Sequence, residues 1–267
     1  MLLFYQIALG FLFSSLVACT AWFLQWLTLS GMIAAILSGT LIITIGPWYS
    51  IFLIGFFFAS SGAISLGKRH KQHAVEDRVN KGQRRDMVQV FANIFPSLIA
   101  LVLYRLLQED VYLLAFVAGI ASCTADTWGS DLGVLSRRPP RHLLTEKKMA
   151  PGLSGGVSFL GTVASFAGSM AIVALYAASL WLSGRSLPLP QLMQLAALGF
   201  LGSLIDSFLG ATIQVRYQCR VCGQLTEKRL HHYQATARVS GWPFVTNEGV
   251  NFLTTLLLVF IAFLQFR

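Results

Sequence analysis

Apolar residues run in long, nearly unbroken stretches along this chain, and the polar residues gather between them. The stretches fall near 2–28, 30–46, 48–66, 86–107, 110–134, 152–182, 190–214 and 246–266. Most reach the ~20 residues that ~30 Å of hydrocarbon demands of an α-helix. Gly31, Gly46-Pro47, Ser183-Gly184 and Pro188 with Pro190 supply tight breaks between neighbours. The pattern predicts an all-α polytopic transmembrane helix bundle of about eight spans, with residues 1–267 forming a single integral membrane domain. The second span is short and weakly separated from the first, so a count of seven stays open.

Three longer polar loops remain, near 67–85, 136–151 and 215–240. Of the 20 Lys and Arg residues, only Arg105, Arg185 and Arg267 lie outside them. Two spans separate each loop from the next, so all three share one side. The positive-inside rule assigns that side to the cytoplasm, and the plasma (inner) membrane is the expected location. With eight spans, both termini then face outward. Residues 1–29 lack a basic leader and carry too long an apolar run for a cleavable signal, so they read as the first membrane helix.

Composition agrees with this reading. Of 267 residues, 55% are hydrophobic and 12% charged, the net charge is +9 and the mean hydropathy is +0.65. So little charge cannot clothe a soluble domain of this size, and so much apolar residue excludes disorder. The excess of base reads first as topology. No nucleic-acid-binding motif accompanies it, so nucleic acid is not expected as a partner, whereas membrane lipids or a phosphorylated ligand are natural ones.

Against this background, carboxylates within spans stand out, because a charge near the bilayer centre costs ~2.5–3.5 kcal/mol. Asp126 and Asp131 lie in the fifth span and Asp206 in the seventh; Asp86 and Glu248 open the fourth and eighth. All sit towards the basic side. Asp86, Gln89 and Asn93 share one helical face, as do Asn247 and Asn251. A repeat is visible too: Gly119-x6-Asp126-Thr127-Trp128 parallels Gly199-x6-Asp206-Ser207-Phe208. Ser154-x3-Ser158-Phe159-Leu160 likewise parallels Asn247-x3-Asn251-Phe252-Leu253. A repeated helical hairpin with converging polar ends is expected.

Two further motifs carry candidate chemistry. Lys147-Lys148 precedes a glycine-rich run through Ser154, Gly155 and Gly156 that is expected to open the sixth helix, where free N–H groups and the helix dipole favour phosphate. Cys219-x2-Cys222 is followed by His231-His232, a candidate structural zinc site.

Taken with Gly55-Phe56-Phe57-Phe58-Ala59-Ser60-Ser61, Arg84-Arg85-Asp86, Asp126-Thr127-Trp128-x-Ser130-Asp131, Pro151-Gly152-x2-Gly155-Gly156 and Asp206-Ser207-x2-Gly210, these motifs resemble a known family. It is the integral membrane family of the animal transmembrane protein 19 and the plant and cyanobacterial phytyl phosphate kinase, and the likeness spans about residues 55–255. Here Leu153-Ser154 replaces a usual Thr-Asn, Glu248 a usual Asp, and Asp131 a usual Glu. The resemblance implies a kinase that phosphorylates a prenyl, phytyl-like monophosphate to the diphosphate, using Mg²⁺ and a nucleoside triphosphate, CTP or ATP. Asp126, Asp131 and Asp206 are then expected to hold Mg²⁺, with Asp86 sharing that role. Asn93, Asn247 and Asn251 would orient phosphates, while Lys148, Ser154, Gly155, Gly156 and Arg85 would bind them. Cys219, Cys222 and His231 are the zinc candidates. A secondary transporter, or a binding protein for a small or lipid anionic solute, is the alternative, since repeats and intramembrane acids also suit transport.

Overall fold

The computed structural model describes residues 2–67 and 84–267; the bases Lys68, Arg69, Lys71, Arg78 and Lys81 of the first polar loop lie outside the described residues. Among the described residues, eight helices follow in chain order. They are α1 (Leu2–Phe23), α2 (Leu29–Ile45), α3 (Ser50–Gly67), α4 (Met87–Leu107), α5 (Asp110–Gly133), α6 (Phe159–Leu182), α7 (Leu189–Thr212) and α8 (Asn247–Phe266). Six are long and apolar enough to cross a membrane. The other two, α2 with 17 residues and α3 with 18, are shorter apolar helices. At ~1.5 Å per residue they rise about 25–27 Å, slightly less than the hydrocarbon thickness.

Local chemistry sets the helix ends. Thr28 caps α2, its hydroxyl accepting from Gly31 N, and Gly46 closes that helix ahead of Pro47. Asp86 and Gln89 form a reciprocal capping box on α4, so two orphan N–H groups are satisfied at once. Gln108, in the left-handed region at φ 59°, ends α4. Pro190 lies in the first turn of α7, where its missing N–H costs nothing.

The sixth span begins later than expected. Residues 152–158 are not helical: Gly152 and Gly155 adopt φ of +89° and +80°. Strand β1 (Arg141–His142) pairs antiparallel with β2 (Gly156–Val157). The helix starts only at Phe159, with the Ser158 hydroxyl accepting from Gly161 N. Ser154 therefore does not open a helix, whereas Asn247 opens α8. The hairpins α5–α6 and α7–α8 agree at their Asp126 and Asp206 ends. Their second arms are offset, because Ser158 is a cap while Asn251 lies a turn inside its helix.

The core forms around α5, which packs against α3, α4, α6, α7 and α8. Phe116, Val117, Ala118, Ile120 and Ala121 on successive faces of α5 are all fully buried. Small residues permit this close packing: a Cβ on Gly202 of α7 would overlap the Ser122 hydroxyl of α5. Arg85 N donates to Trp26 O at 2.9 Å and Thr28 N to Arg85 O at 3.1 Å, tying the α1–α2 turn to the start of α4. At the other end of the bundle, Arg185 pairs with Asp110 at 2.6 Å. Between α7 and α8 the chain forms a three-stranded sheet of β3 (Arg216–Gln218), β4 (Leu225–Thr226) and β7 (Ala237–Ser240). It also forms the small hairpin β5 (Leu230–His231) and β6 (Gln234–Ala235).

Candidate functional site

A cavity of about 340 Å³ lies where α3, α5 and α7 finish and α4, α6 and α8 begin. That volume falls in the range of small-ligand sites. Asp126 and Asp131 enter it from the last turns of α5, and Asp206 from α7. The hydroxyl of Ser65 at the end of α3 donates to Asp131 Oδ2 at 3.2 Å. Asp206 Oδ2 accepts from the Thr254 hydroxyl at 3.4 Å. Oriented so that both its polar atoms are matched, the Asn251 amide donates to Asp206 Oδ2 at 3.0 Å and to Asn247 O at 3.2 Å. Asn93 lies beside Asn251 and anchors its own amide on Gln89 O at 2.8 Å.

Asp126 lies in the electrostatic field of Asp131, and Asp206 in that of Asp126. Carboxylates sharing a cavity repel one another unless a cation or protons intervene. One cation is supplied by the chain. Arg85 also lines the cavity, with its guanidinium 5.3 Å from the Phe57 ring centroid and within the field of Asp131 and Asp126. The remaining donors are oxygens of carboxylates, amides and hydroxyls, which suit a hard divalent cation such as Mg²⁺.

The glycine-rich turn forms the opposite wall, with Ser154, Gly155 and Gly156 in the lining. Both Ser154 donors are already engaged. Glu227 Oε1 accepts from the Ser154 hydroxyl at 2.8 Å, from Ser154 N at 3.3 Å and from Gln214 Nε2 at 2.9 Å. Arg216 completes the cluster, donating to Ser154 O at 3.0 Å and Gly210 O at 2.8 Å. Burial pushes the Glu227 carboxyl up from its ordinary value, against the hydrogen bonds from Ser154. Burial lowers Arg216, and Glu227 opposes that shift.

Ten of the sequence-derived site residues thus meet in one cavity: Arg85, Asn93, Asp126, Asp131, Ser154, Gly155, Gly156, Asp206, Asn247 and Asn251. Two others do not line it. Asp86 is used as the α4 cap, accepting from Gln89 N at 2.9 Å. Lys148 is exposed and bridges by its backbone to Arg141. Cys219, Cys222 and His231 form a separate cluster, joined by His232. There the His232 ring holds the Cys219 thiol down at about 5, assisted by backbone hydrogen bonds.

Glu227, Gln214 and Glu248 also line the cavity. Glu227 had no signature in the hydrophobic pattern, because it sits in a loop beside Lys228 and Arg229. Its position inside the Cys–His segment was the one available hint. Glu248 was visible as an acid at a helix start, and Thr246 now donates to its Oε2 at 2.7 Å.

Residues 12–259 match the family described as integral membrane protein DUF92. Protein PGR of Arabidopsis thaliana is 32% identical over 97% of this chain and 95% of its own. An uncharacterised membrane protein of Methanocaldococcus jannaschii is 27% identical over 62% of this chain and 65% of its own. One from Synechocystis is 25% identical over 79% and 70%. No solved structure matches.

Proposed function

From a chain that belongs to the DUF92 family of integral membrane proteins, we propose a membrane-embedded kinase that converts a prenyl, phytyl-like monophosphate to the diphosphate. The observation that carries this reading is the meeting of Asp126, Asp131 and Asp206 with Asn93, Asn247 and Asn251 in one cavity at one end of the bundle. A lipid monophosphate keeps its tail among the helices and its head at the membrane boundary, where a soluble nucleotide can reach it. By the positive-inside rule we assign that end to the cytoplasm. A transporter would instead be expected to hold its polar site near the midplane.

In the proposed reaction an oxygen of the lipid monophosphate attacks the terminal phosphorus of CTP or ATP. The new P–O bond forms as the bond to the nucleoside diphosphate breaks, and that diphosphate leaves with its electron pair. The attacking oxygen is already anionic, so no general base is required. Asp126, Asp131 and Asp206 would hold Mg²⁺, which would supply charge neutralisation for the transferring phosphoryl group. Asn251, anchored on Asn247 O, orients the Asp206 carboxylate, and the two amides would face the ligand. Arg85, in the cavity lining, would meet a phosphate oxygen. Glu227 occupies the donors of Ser154, so the glycine-rich turn shapes the cavity through that carboxylate.

The test is incubation of purified protein in detergent with Mg²⁺, labelled CTP or ATP, and farnesyl, geranylgeranyl or phytyl monophosphate. A labelled diphosphate lipid is expected. Absence of any such product across the panel would contradict the kinase reading and favour transport.

A further inference from the structure

We propose that Cys219, Cys222, His231 and His232 bind one Zn²⁺ ion, and that this ion fixes the loop that carries Glu227 into the cavity. The proposal stands apart from the phosphotransfer reading, since it rests on a different donor set in a different part of the molecule.

The four ligand atoms all lie within 4.8 Å of one another. Cys219 Sγ is 3.6 Å from His232 Nδ1, and Cys222 Sγ is 3.7 Å from His231 Nδ1. A tetrahedral site with Zn–S of ~2.3 Å and Zn–N of ~2.0–2.1 Å has sulfur–nitrogen edges of ~3.6 Å. These two edges therefore already fit one ion. Two thiolates and two imidazoles select zinc over the hard cations suited to the carboxylates of the cavity.

The backbone is shaped around the same point. Val221 N donates to Cys219 Sγ at 3.3 Å and Gly223 N to Cys219 O at 3.0 Å. Gly223 takes φ of +71°, so the chain reverses directly after the second cysteine. Successive side chains of a strand normally point to opposite faces. Here β5 ends at His231, and His232 and Tyr233 form the two-residue turn to β6 with φ of +51° and +60°, the positive values that a type I′ hairpin turn takes. The reversal brings the two rings within 4.2 Å of each other. Cys219 and His231 are buried while Cys222 and His232 are exposed, so the site is backed by protein and open to loading.

The consequence for the cavity follows from chain order. Glu227 lies between Cys222 and His231, and its carboxylate reaches the Ser154 turn. A segment with strands of only two to four residues has little core of its own. Such segments commonly depend on a metal or disulfide. Here the metal would anchor both flanks of Glu227.

The experiment uses the full chain, purified in detergent without chelating resin, with zinc measured by mass spectrometry. About one zinc per chain is expected, falling to near zero in a Cys219→Ser, Cys222→Ser double variant. Co²⁺ exchanged into the wild type should give tetrahedral ligand-field bands with thiolate charge transfer, a result that needs no variant to fold. Stripping the zinc should raise tryptic cleavage at Lys228 and Arg229 on the order of tenfold. A wild type that takes up no zinc and gives no thiolate–Co²⁺ bands would overturn the site, as would full zinc retention by the double variant. Unchanged cleavage after stripping would overturn its role in holding Glu227.

Discussion

The side chain that most changes the reading of the site is Glu227. The glycine-rich turn was expected to offer its N–H groups to a phosphate, yet Ser154 gives both its backbone and hydroxyl donors to this carboxylate. The turn's attraction for an anion was legible in the sequence, but the identity of the anion was not, because Glu227 comes from a loop 73 residues away. Its raised carboxyl pKa makes a signed prediction. A group raised in the folded state gives its stabilisation below the ordinary carboxyl pKa of ~4.3 and loses it as pH rises through the folded value. Glu227→Gln keeps the shape and acceptor oxygen while removing the charge. It should melt at a higher temperature than wild type at pH 7, and the gap should close as pH approaches 4. Thermal melts at the two pH values check this; a variant less stable than wild type at pH 7 would contradict it. Glu227→Ala, which strands the donors of Ser154 and Gln214, should cost about 1–3 kcal/mol.

Among the elements, α5 carries the arrangement, since it is packed on every side and delivers Asp126 and Asp131 together. The spacing between α5 and α7 sets the distance from Asp126 to Asp206, and Gly202 permits that spacing by lying against Ser122. Gly202→Val should therefore lower stability by about 1–3 kcal/mol and impair ligand binding, because the helices must separate. Gly55→Ala is the control: a Cβ there meets nothing within 4 Å. Its melting temperature should match or exceed that of wild type. The apolar runs made the helices legible, since hydrocarbon burial demands length and composition that sequence displays directly. The start of α6 was not legible. Its sequence signal continues apolar through Leu153, while the segment is held by β1–β2 pairing and two left-handed glycines. The repeat was likewise clear at Asp126 and Asp206 and misleading at Ser154, where one copy is drawn out into a turn.

Across the described residues, eight antiparallel helices bring both chain ends to the side opposite the cavity and gather the described basic loops around it. This arrangement predicts sidedness. Val239→Cys, in the exposed sheet near the cavity, should react with an impermeant maleimide only from the cytoplasmic side. Arg185→Cys should react only from the outside, each judged against the unsubstituted chain. The reverse pattern would invert the topology. Convergence on one cavity was predictable from acids recurring at one depth, because only a few charges occur within the apolar spans. In the proposed kinase these acids support Mg²⁺-dependent phosphoryl transfer to a prenyl monophosphate. The most direct measurement is diphosphate formation by wild type, Asp126→Asn and Asp206→Asn proteins of matched insertion and melting temperature, each with and without Mg²⁺. Product is expected from wild type only with Mg²⁺ present, with a loss of ~10²–10³-fold in each variant. Undiminished product from both variants, or from wild type without divalent metal, would contradict it.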